Sequence, residues 1–193
     1  NAAPMNDRGN FCSACGQPAA TVVPEGDNRA RSVCTACGTV HYVNPKLVVG
    51  SVPEYDGQIL LCRRAIEPRK GFWTVPAGFM ELGETLGEAA LRETWEEALA
   101  RVELGSLFSV VDVVHAGQVH VFFRARLLQP EFGAGEETLE TRLFHPEEIP
   151  WEDLASPSIR TAREQYLESC RSGTAGVRLQ AAPRVRLGAA PRA

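Results

Sequence analysis

The sequence predicts an α+β domain preceded by a small cysteine-rich module, on three observations. Strongly β-prone segments recur between residues 47 and 144, with turn-forming residues between them. A stretch rich in Glu, Ala and Leu and without proline follows residue 85 and favours a helix. Two Cys-x-x-Cys-Gly units lie within the first 40 residues. A length of 193 residues suits this division, one ordinary domain with a small appendage.

The cysteine-rich module spans residues 11–43, after a leader at residues 1–10 that we expect to be flexible. It contains two cysteine pairs, each with two intervening residues and a following glycine: Cys12, Cys15, Cys34 and Cys37. Four thiolates at this spacing predict a structural zinc site without an open position, and the module resembles a zinc ribbon. The alternative is two disulfides or a redox pair. Nucleic-acid binding by the module is less favoured, because only two arginines lie between the pairs.

The strands of the main domain are predicted from apolar runs bounded by turn residues. Leu47–Pro53 and Gln58–Arg63 flank Asp56-Gly57, a strong hairpin signal. The further extended segments are Phe72–Pro76, Leu107–His115, Gln118–Leu128 and Thr141–Phe144. Strands are therefore expected both before and after the glutamate-rich helix.

Two helices are predicted in the main domain. The first runs from Thr85 to about Leu99. The second runs from Ser156 to about Cys170, with a serine cap and a proline in the first turn. The end of the chain, residues 171–193, has no periodicity, and we expect it to be disordered.

The charge of the chain is unevenly distributed. The formal net charge is −4, yet five of the 20 basic residues and no acidic residue lie in residues 171–193. Residues 1–170 therefore carry 15 basic and 24 acidic side chains, a local balance of −9. This argues against a nucleic-acid-binding face, because phosphate affinity comes from Lys and Arg. No apolar run suits a membrane span and no secretory signal is visible, so we predict a cytoplasmic protein.

Three glutamates of the first predicted helix share one face. At 100° per residue, Glu93, Glu96 and Glu97 fall within an arc of roughly 100°. Carboxylates held close together and aimed in one direction suit a hard cation such as Mg²⁺ or Mn²⁺. From charge patterning alone, a solvated acidic surface is the more common explanation of such a face.

The order of the surrounding residues resembles the Nudix box. Its glycine, glutamate, Arg-Glu and Glu-Glu positions are matched in sequence by Gly78, Glu84, Arg92, Glu93, Glu96 and Glu97. Three positions depart from the box: Thr94 and Ala100 replace aliphatic residues, and Leu99 replaces a glycine. Because that glycine is missing, we expect the helix to continue to Ala100 or Arg101.

The resemblance extends beyond the box, over roughly residues 11–170. The cysteine module, Gly71–Gly78 and Leu139–Phe144 are similar to a Nudix subgroup with a zinc ribbon, the FAD and ADP-ribose pyrophosphatases. NADH pyrophosphatases carry a proline-rich segment after the box, and one ADP-ribose subgroup is marked by a proline there. The stretch from Phe108 to His115 contains no proline, which argues against both groups. The resemblance implies an α+β Nudix fold over residues 44–170, a mixed sheet between helices.

The resemblance also implies roles for individual residues. The cation, Mg²⁺ or Mn²⁺, would be bound by Glu93, Glu96, Glu97 and the backbone carbonyl of Ala77. Arg92 would hold a neighbouring carboxylate, and we expect Gly78 to permit a turn of the loop.

Two residues of the box surroundings have structural alternatives. The carboxylate that Arg92 would hold is that of Glu84 or Glu93, and a plain surface arginine is the alternative. Glu84 lies near the start of the helix, where a negative charge interacts favourably with the helix dipole, so it is also explained as a cap-region charge.

A further acid from a downstream loop is expected on the same resemblance. Glu140 matches best in position and Glu137 is the reserve, with ordinary loop charge as the alternative for both. The catalytic base is left open between Glu93, Glu96 and this loop acid.

Several residues are candidates for substrate contact. Two arginines end a predicted strand, and four aromatic residues lie on or near the same loops: Arg63, Arg64, Tyr55, Phe72, Trp73 and Phe79. The alternatives are a solvated strand end for the arginines and the apolar core for the aromatic rings.

The predicted activity is metal-dependent hydrolysis of the pyrophosphate in FAD or ADP-ribose, giving AMP plus FMN or ribose 5-phosphate. The alternatives are hydrolysis of NADH or dinucleoside polyphosphates, and a non-catalytic regulatory or RNA-binding protein. A homodimer is expected because dimers are common in the family.

Overall fold

The computed structural model describes residues 11–172 and 176–182, and it separates into two units after Pro45. The predicted leader, residues 1–10, lies outside the described residues. The boundary falls close to the predicted one after residue 43, and the first strand of the second unit starts at Lys46. Neither helix in the described part of the chain is long and apolar enough to cross a membrane.

The first unit is a small antiparallel sheet with almost no apolar core. Its strands are β1 (Ala19–Val22), β2 (Arg31–Cys34) and β3 (Val40–His41), in the order β1-β2-β3. Its buried side chains in the described range 11–45 are those of Cys12, Ser32 and Cys34. Such a unit cannot bury enough apolar surface to be stable alone, so the cysteine cluster is the natural source of its stability.

In its described residues, the second unit contains one mixed sheet and two α-helices. In chain order the elements are β4 (Lys46–Tyr55), β5 (Gln58–Arg64), β6 (Trp73–Thr74), β7 (Ala77–Phe79), α1 (Leu86–Ala98), β8 (Val102–Val113), β9 (Gln118–Leu127), β10 (Thr138–Phe144), α2 (Pro157–Ser172) and β11 (Arg178–Ala181). The sheet order is β10-β5-β4-β9-β8-β11, with β6 beside β5 and β7 beside β4. β4 pairs parallel with β9 and antiparallel with β5, which makes the sheet mixed.

The two helices cover opposite faces of the sheet. Ser51 of β4 hydrogen-bonds to α1, whereas the next residue, Val52, belongs to an apolar cluster that includes Ile159 and Tyr166 of α2. Since consecutive strand residues point to opposite faces, the sheet lies between the helices. The predicted α+β fold with a mixed sheet between helices is therefore confirmed.

The hairpin between β4 and β5 forms where the sequence predicts it. Asp56 and Gly57 both have positive φ angles, 48° and 74°, as a two-residue turn that follows the strand twist requires. The β7 strand was not predicted, because three residues between a loop and a helix give too short a pattern.

The first helix begins as predicted but ends earlier. Thr85 is the N-cap and forms a capping box with Glu88, so two backbone donors at the helix start are satisfied. The expected continuation to Ala100 or Arg101 is wrong: α1 ends at Ala98, and Leu99 adopts a left-handed conformation with φ 46°. Leu99 thus adopts the left-handed conformation that a glycine usually adopts at the end of a helix.

The C-terminal region also differs in part from the expectation. The backbone N–H of Ser158 donates to the Ser156 hydroxyl at 3.2 Å, so Ser156 caps α2 as predicted. The prediction of a disordered tail is wrong for residues 178–181, which form β11. They pair in parallel with the edge of β8. The strand was not predicted because it is short and turn-forming residues surround it. Of the other residues in the predicted tail, 171 and 172 belong to α2, and 173–175 and 183–193 lie outside the described residues.

A buried histidine links the sheet to α2. The Nδ1 and Nε2 atoms of His120, in β9, lie 2.8 Å from the Ser158 hydroxyl and the Gln118 side-chain oxygen, respectively. Because the Gln118 oxygen only accepts, Nε2 carries the proton and Nδ1 accepts from Ser158. Burial lowers the pKa of His120 to about 4, since the charged ring would lose its hydration.

Replacing Leu99 with glycine should stabilise the protein. A left-handed conformation costs a non-glycine residue about 1 kcal/mol, so Leu99→Gly is expected to raise the free energy of unfolding by up to about that amount. Urea unfolding of both proteins measures the difference. Leu99→Ala keeps the Cβ and its strain, so it should give no gain. An equal gain from the alanine variant would contradict the explanation.

Acidification should destabilise the protein through His120. His120 binds its proton near pH 6.5 in the unfolded chain but only near pH 4 in the folded chain. The stability that depends on the neutral His120 is therefore fully present above pH 6.5 and is lost as the pH falls toward 4. Its size is about 3 kcal/mol. In His120→Asn this part of the pH dependence should disappear, as chemical denaturation at pH 7, 6, 5 and 4 would show. Parallel pH profiles of the two proteins would refute the assignment.

Candidate active site

Arg92 of α1 organises the acidic residues around it. Its Nε and Nη2 atoms donate to the two oxygens of Glu84 at 3.0 and 2.7 Å. Its Nη1 donates to Glu93 at 2.7 Å and Glu96 at 3.0 Å, and Nη2 also donates to the carbonyl of Phe79 at 3.1 Å. All five guanidinium protons are therefore used, and the bidentate partner is Glu84 rather than Glu93.

The same contacts shift the pKa of the carboxylates. Hydrogen bonds from Arg92, with the N–H of Glu81, lower the pKa of Glu84 to about 2. Burial raises the pKa of Glu93, although Arg92 acts in the opposite direction. Glu96 stays largely exposed beside them. Arg92 thus fixes Glu84 as an anion and holds Glu93 and Glu96 on the same side of α1.

Gly78 gives Glu93 the space it occupies. A Cβ atom at Gly78 would lie 2.3–2.4 Å from the carboxyl atoms of Glu93, far inside contact distance. Its φ angle is not in the left-handed region, so the expected role in a turn does not explain this glycine. Close approach between loop and carboxylate is the reason for it.

Glu97 lies one helical turn after Glu93, against the start of β7. One of its oxygens accepts the backbone N–H of Ala77 at 3.1 Å. Its pKa is raised to about 7, chiefly by burial and further by the charges of Glu93 and Glu137, while the Ala77 N–H and Arg64 oppose the shift. A cation beside Glu97 would remove the cost of keeping this carboxylate charged.

Glu140, the first candidate for the loop acid, is not brought to this face. It lies opposite Arg63 in the β10–β5 pair, with Nη1 and Oε2 3.8 Å apart. Neighbouring β5 residues alternate between faces: Leu61 packs in the α2 cluster, and the sulfur of Cys62 lies 3.9 Å from the Glu97 carbonyl of α1. Arg63 and Glu140 therefore lie on the α2 side of the sheet.

Glu137, the reserve candidate, lies on the other side. Its carbonyl accepts the N–H of Ala65 at 2.8 Å, which places it beside the end of β5. Its charge acts on Glu97, and so does that of the half-buried Arg64, with the opposite sign. Of the predicted arginines and loop acids, the structure thus brings Arg64 and Glu137 toward the glutamates of α1.

The predicted aromatic contacts are mostly part of the core. Phe72 and Trp73 are 5% and 9% exposed, and Trp73 packs edge-on against Phe144 with ring centroids 4.9 Å apart. Tyr55 packs against a second apolar cluster. A stacking role for these three rings is not supported. Phe79 is different, since it is 48% exposed and directly follows Gly78.

One residue pair near the site was missed by sequence reasoning. The Thr94 hydroxyl donates to the Ala90 carbonyl at 2.6 Å, so the Ser51 hydroxyl, also at 2.6 Å, donates to Thr94. Both side chains are fully buried. Thr94, which departs from the box, thus has a polar partner in β4. The sequence indicated this pair only through a serine within an otherwise apolar strand.

The acidic face of α1 suits a hard divalent cation by its donor set. All the side-chain ligands it offers are carboxylate oxygens, and Gly78 keeps the loop close to Glu93. In the structure these oxygens do not converge on one point, because those of Glu93 and Glu96 hydrogen-bond to Arg92 and one of Glu97 accepts the Ala77 N–H. Among the described residues, the four cysteines are the group whose ligand atoms already lie within 4.8 Å of one another.

The cysteine cluster has the geometry of a four-sulfur metal site. The Sγ atom of Cys15 lies 3.4 Å from that of Cys34 and 3.5 Å from that of Cys37. The Sγ atoms of Cys12 and Cys37 are 3.7 Å apart. A disulfide needs about 2.05 Å, so the disulfide alternative is wrong. A tetrahedron with metal–sulfur bonds of about 2.3 Å has sulfur separations close to those observed.

Local hydrogen bonds favour the thiolate form of two of the four cysteines, Cys34 and Cys37. The Thr39 side chain is the main cause that lowers the pKa of Cys37 to about 6. Backbone N–H groups of Cys37 and Ala36 donate to the sulfur of Cys34 and lower its pKa. Thiolates are the form that binds metal.

Two family models match the chain in the same order as its units. The Nudix N-terminal zinc-ribbon model matches residues 10–43, and the NUDIX domain model matches residues 45–166. A crystal structure of a NUDIX hydrolase from Nitrosomonas europaea has a TM-score of 0.86 and 47% identity, and the match covers 90% of this chain and 98% of that one.

Two curated relatives illustrate the range of functions among similar proteins. The ADP-ribose pyrophosphatase of Methanocaldococcus jannaschii is 34% identical over 113 residues, 56% of this chain and 67% of the relative. The NAD-capped RNA hydrolase NudC of Photobacterium profundum is 36% identical over 137 residues, 70% of this chain and 49% of the relative. The chain thus spans about half of the NudC protein. The matched models and the fold together show that the chain belongs to the Nudix hydrolase family, with an N-terminal zinc ribbon.

Proposed function

We propose that the protein hydrolyses the pyrophosphate of ADP-ribose to AMP and ribose 5-phosphate in a reaction that needs Mg²⁺ or Mn²⁺. The observation that carries the proposal is Glu97, a partly buried carboxylate fixed by the Ala77 N–H and raised in pKa beside Glu93. The relative from Methanocaldococcus jannaschii named ADP-ribose pyrophosphatase supports the choice of substrate.

Glu93, Glu96 and Glu97, with the Ala77 carbonyl, would hold the cation. When bound, the cation neutralises charge on the diphosphate and lowers the pKa of a bound water. Arg92 keeps Glu93 and Glu96 oriented through its hydrogen bonds, so these carboxylates need little rearrangement.

Glu137 takes the place of Glu140 as the loop acid in this proposal. It acts electrostatically on Glu97, whereas Glu140 pairs with Arg63 on the other face of the sheet. Its position suits two roles: a base that orients the attacking water, or a carboxylate that serves as a further ligand to the cation.

Two residues beside the carboxylates suit substrate binding. The positive charge of Arg64 acts on Glu97 and lowers its pKa, so Arg64 lies where it suits contact with a substrate phosphate. Phe79 offers an exposed ring next to Gly78 on which adenine can stack.

A second candidate substrate contains NAD. Relatives named NAD-capped RNA hydrolase NudC support it, although this chain spans about half of their length or less in several cases. NAD contains the same adenosine diphosphate portion as ADP-ribose, so the α1 carboxylates suit both. FAD also contains it and remains in the set to be tested.

We further propose that the ion of the cysteine cluster is zinc with a structural role. Four sulfurs with tetrahedral spacing leave no open position for chemistry. A homodimer and the absence of nucleic-acid binding remain predictions.

Replacing Glu97 with glutamine should abolish most of the activity. The wild-type protein with Mg²⁺ or Mn²⁺ is assayed for AMP release from ADP-ribose, NAD, NADH, FAD and diadenosine polyphosphates. Loss of one cation ligand is expected to lower kcat/KM for the best substrate by about 10²-fold, equivalent to about 3 kcal/mol. The matched control is Glu103→Gln, an exposed glutamate that pairs with Arg126.

The outcomes of this experiment are distinct. Activity on ADP-ribose that falls in Glu97→Gln but not in Glu103→Gln supports the proposal. No turnover of any substrate by the metal-loaded wild type would refute the enzymatic function, and a preference for NAD would select the second candidate.

Replacing Cys34 with serine should lower the zinc content of the purified protein. Cys34 is buried in the cluster and its loss leaves three thiolates, so zinc measured by mass spectrometry should fall well below one per chain. Cys62→Ala removes a buried thiol outside the cluster and should leave the zinc content unchanged. Equal zinc in wild type and Cys34→Ser is incompatible with the assignment.

A further inference from the structure

The connection between β9 and β10, residues 128–137, is fastened to the C-terminal end of α1. The backbone N–H of Gly133 donates to the Ala98 carbonyl at 2.8 Å, and that of Gly135 to the Glu97 carbonyl at 3.1 Å. The last carbonyls of a helix have no partner within the helix. The connection therefore supplies the missing donors and follows the end of α1 closely.

Gly135 has no room for a side chain at this point of contact. A Cβ atom there would lie 1.7 Å from the carbonyl oxygen of Glu96 and 2.8 Å from its carbonyl carbon. These are backbone atoms of α1, so no side chain can move aside. The φ angle of Gly135 is outside the left-handed region, so a close approach rather than an unusual conformation requires glycine here.

Gly133 is a matched contrast two residues earlier. A Cβ atom at Gly133 would meet only the Leu99 side chain, at 3.4 Å from its Cδ1, which is ordinary contact. Its hydrogen bond to Ala98 uses the backbone and would survive the substitution. The close approach between the connection and α1 thus depends on Gly135.

The chain leads directly from Gly135 to Glu137. The Gly135 carbonyl accepts the N–H of Thr138 at 3.1 Å, and the Glu137 carbonyl accepts the N–H of Ala65 at 2.8 Å. Backbone hydrogen bonds therefore hold Gly135 to the end of α1 and Glu137 to the end of β5. Because Glu136 is the one residue between them and both sides are hydrogen-bonded, a displacement of Gly135 is expected to shift Glu137 as well.

We propose that Gly135 is a positioning residue that sets the distance between Glu137 and the carboxylates of α1. This inference rests on the proposed function, in which Glu137 is the acid delivered by the connection. With any side chain at position 135, the connection separates from α1 and Glu137 moves away from Glu97.

The first test compares Gly135→Ala with Gly133→Ala. A displacement of about 1 Å lowers kcat by up to about 10²-fold, which is expected for Gly135→Ala with little change in KM. The Mg²⁺ concentration for half-maximal activity should also rise. Gly133→Ala should keep kcat within about twofold, and thermal unfolding of both variants reports their stability. Equal activity of Gly135→Ala and the wild type would overturn the inference.

The second test asks whether Gly135 acts through Glu137. In a Glu137→Gln background, Gly135→Ala should lower kcat by less than about twofold, because coupled residues are not additive. If Gly135→Ala costs the same factor in both backgrounds, its effect is only structural and the inference is wrong.

A third measurement does not depend on the folding of Gly135→Ala. Glu137→Gln should lower kcat by about 10²-fold, whereas Glu136→Gln, at the exposed neighbouring residue, should not. An active wild type with an equally active Glu137→Gln would overturn this inference together with the loop-acid role of Glu137, and would leave the proposed hydrolysis of ADP-ribose intact. An inactive wild type would refute the proposed function instead.

Discussion

The site depends on one constraint, the accumulation of negative charge on a single helix. Glu93 and Glu97 are one turn apart and would repel each other, and burial makes the charged forms more costly. Arg92 offsets this by binding three carboxylates at once, Glu84 through a bidentate contact. Because every guanidinium proton is used, Arg92 is held in one position, and it holds the carboxylates of Glu84, Glu93 and Glu96, while the Ala77 N–H holds that of Glu97.

A short part of β4 positions both the helix and the loop that faces it. A Cβ atom at Gly50 would lie 2.4 Å from that of Ala77, and the N–H of Ser51 donates to the Pro76 carbonyl at 3.1 Å. The loop therefore lies directly against the strand. The Ser51 side chain meanwhile binds Thr94 of α1. Gly50 and Ser51 of β4 thus position both the loop that carries Ala77 and the helix that carries Glu97. This brings the Ala77 N–H within hydrogen-bonding distance of Glu97.

The sequence could predict the parts of the site that depend on local spacing. Helical periodicity places Glu93 and Glu97 on one face, and two-residue spacing joins each cysteine pair, without any knowledge of the fold. The choice between Glu137 and Glu140 was beyond such reasoning. The register of β10 on β5 shifts between Thr138 and Glu140, and a shift of one residue changes the face of the sheet that a side chain occupies.

The departures from the Nudix box change how α1 is held and leave its carboxylates in place. A buried threonine hydroxyl without a partner would cost about 1–3 kcal/mol, but Thr94 both donates to α1 and accepts from Ser51. At the end of the helix, Leu99 takes the left-handed conformation, and its side chain lies beside Gly133, where a Cβ atom on that residue would touch it. The residue that replaces the box glycine thus becomes part of the contact between α1 and the β9–β10 connection, which also leads to Glu137.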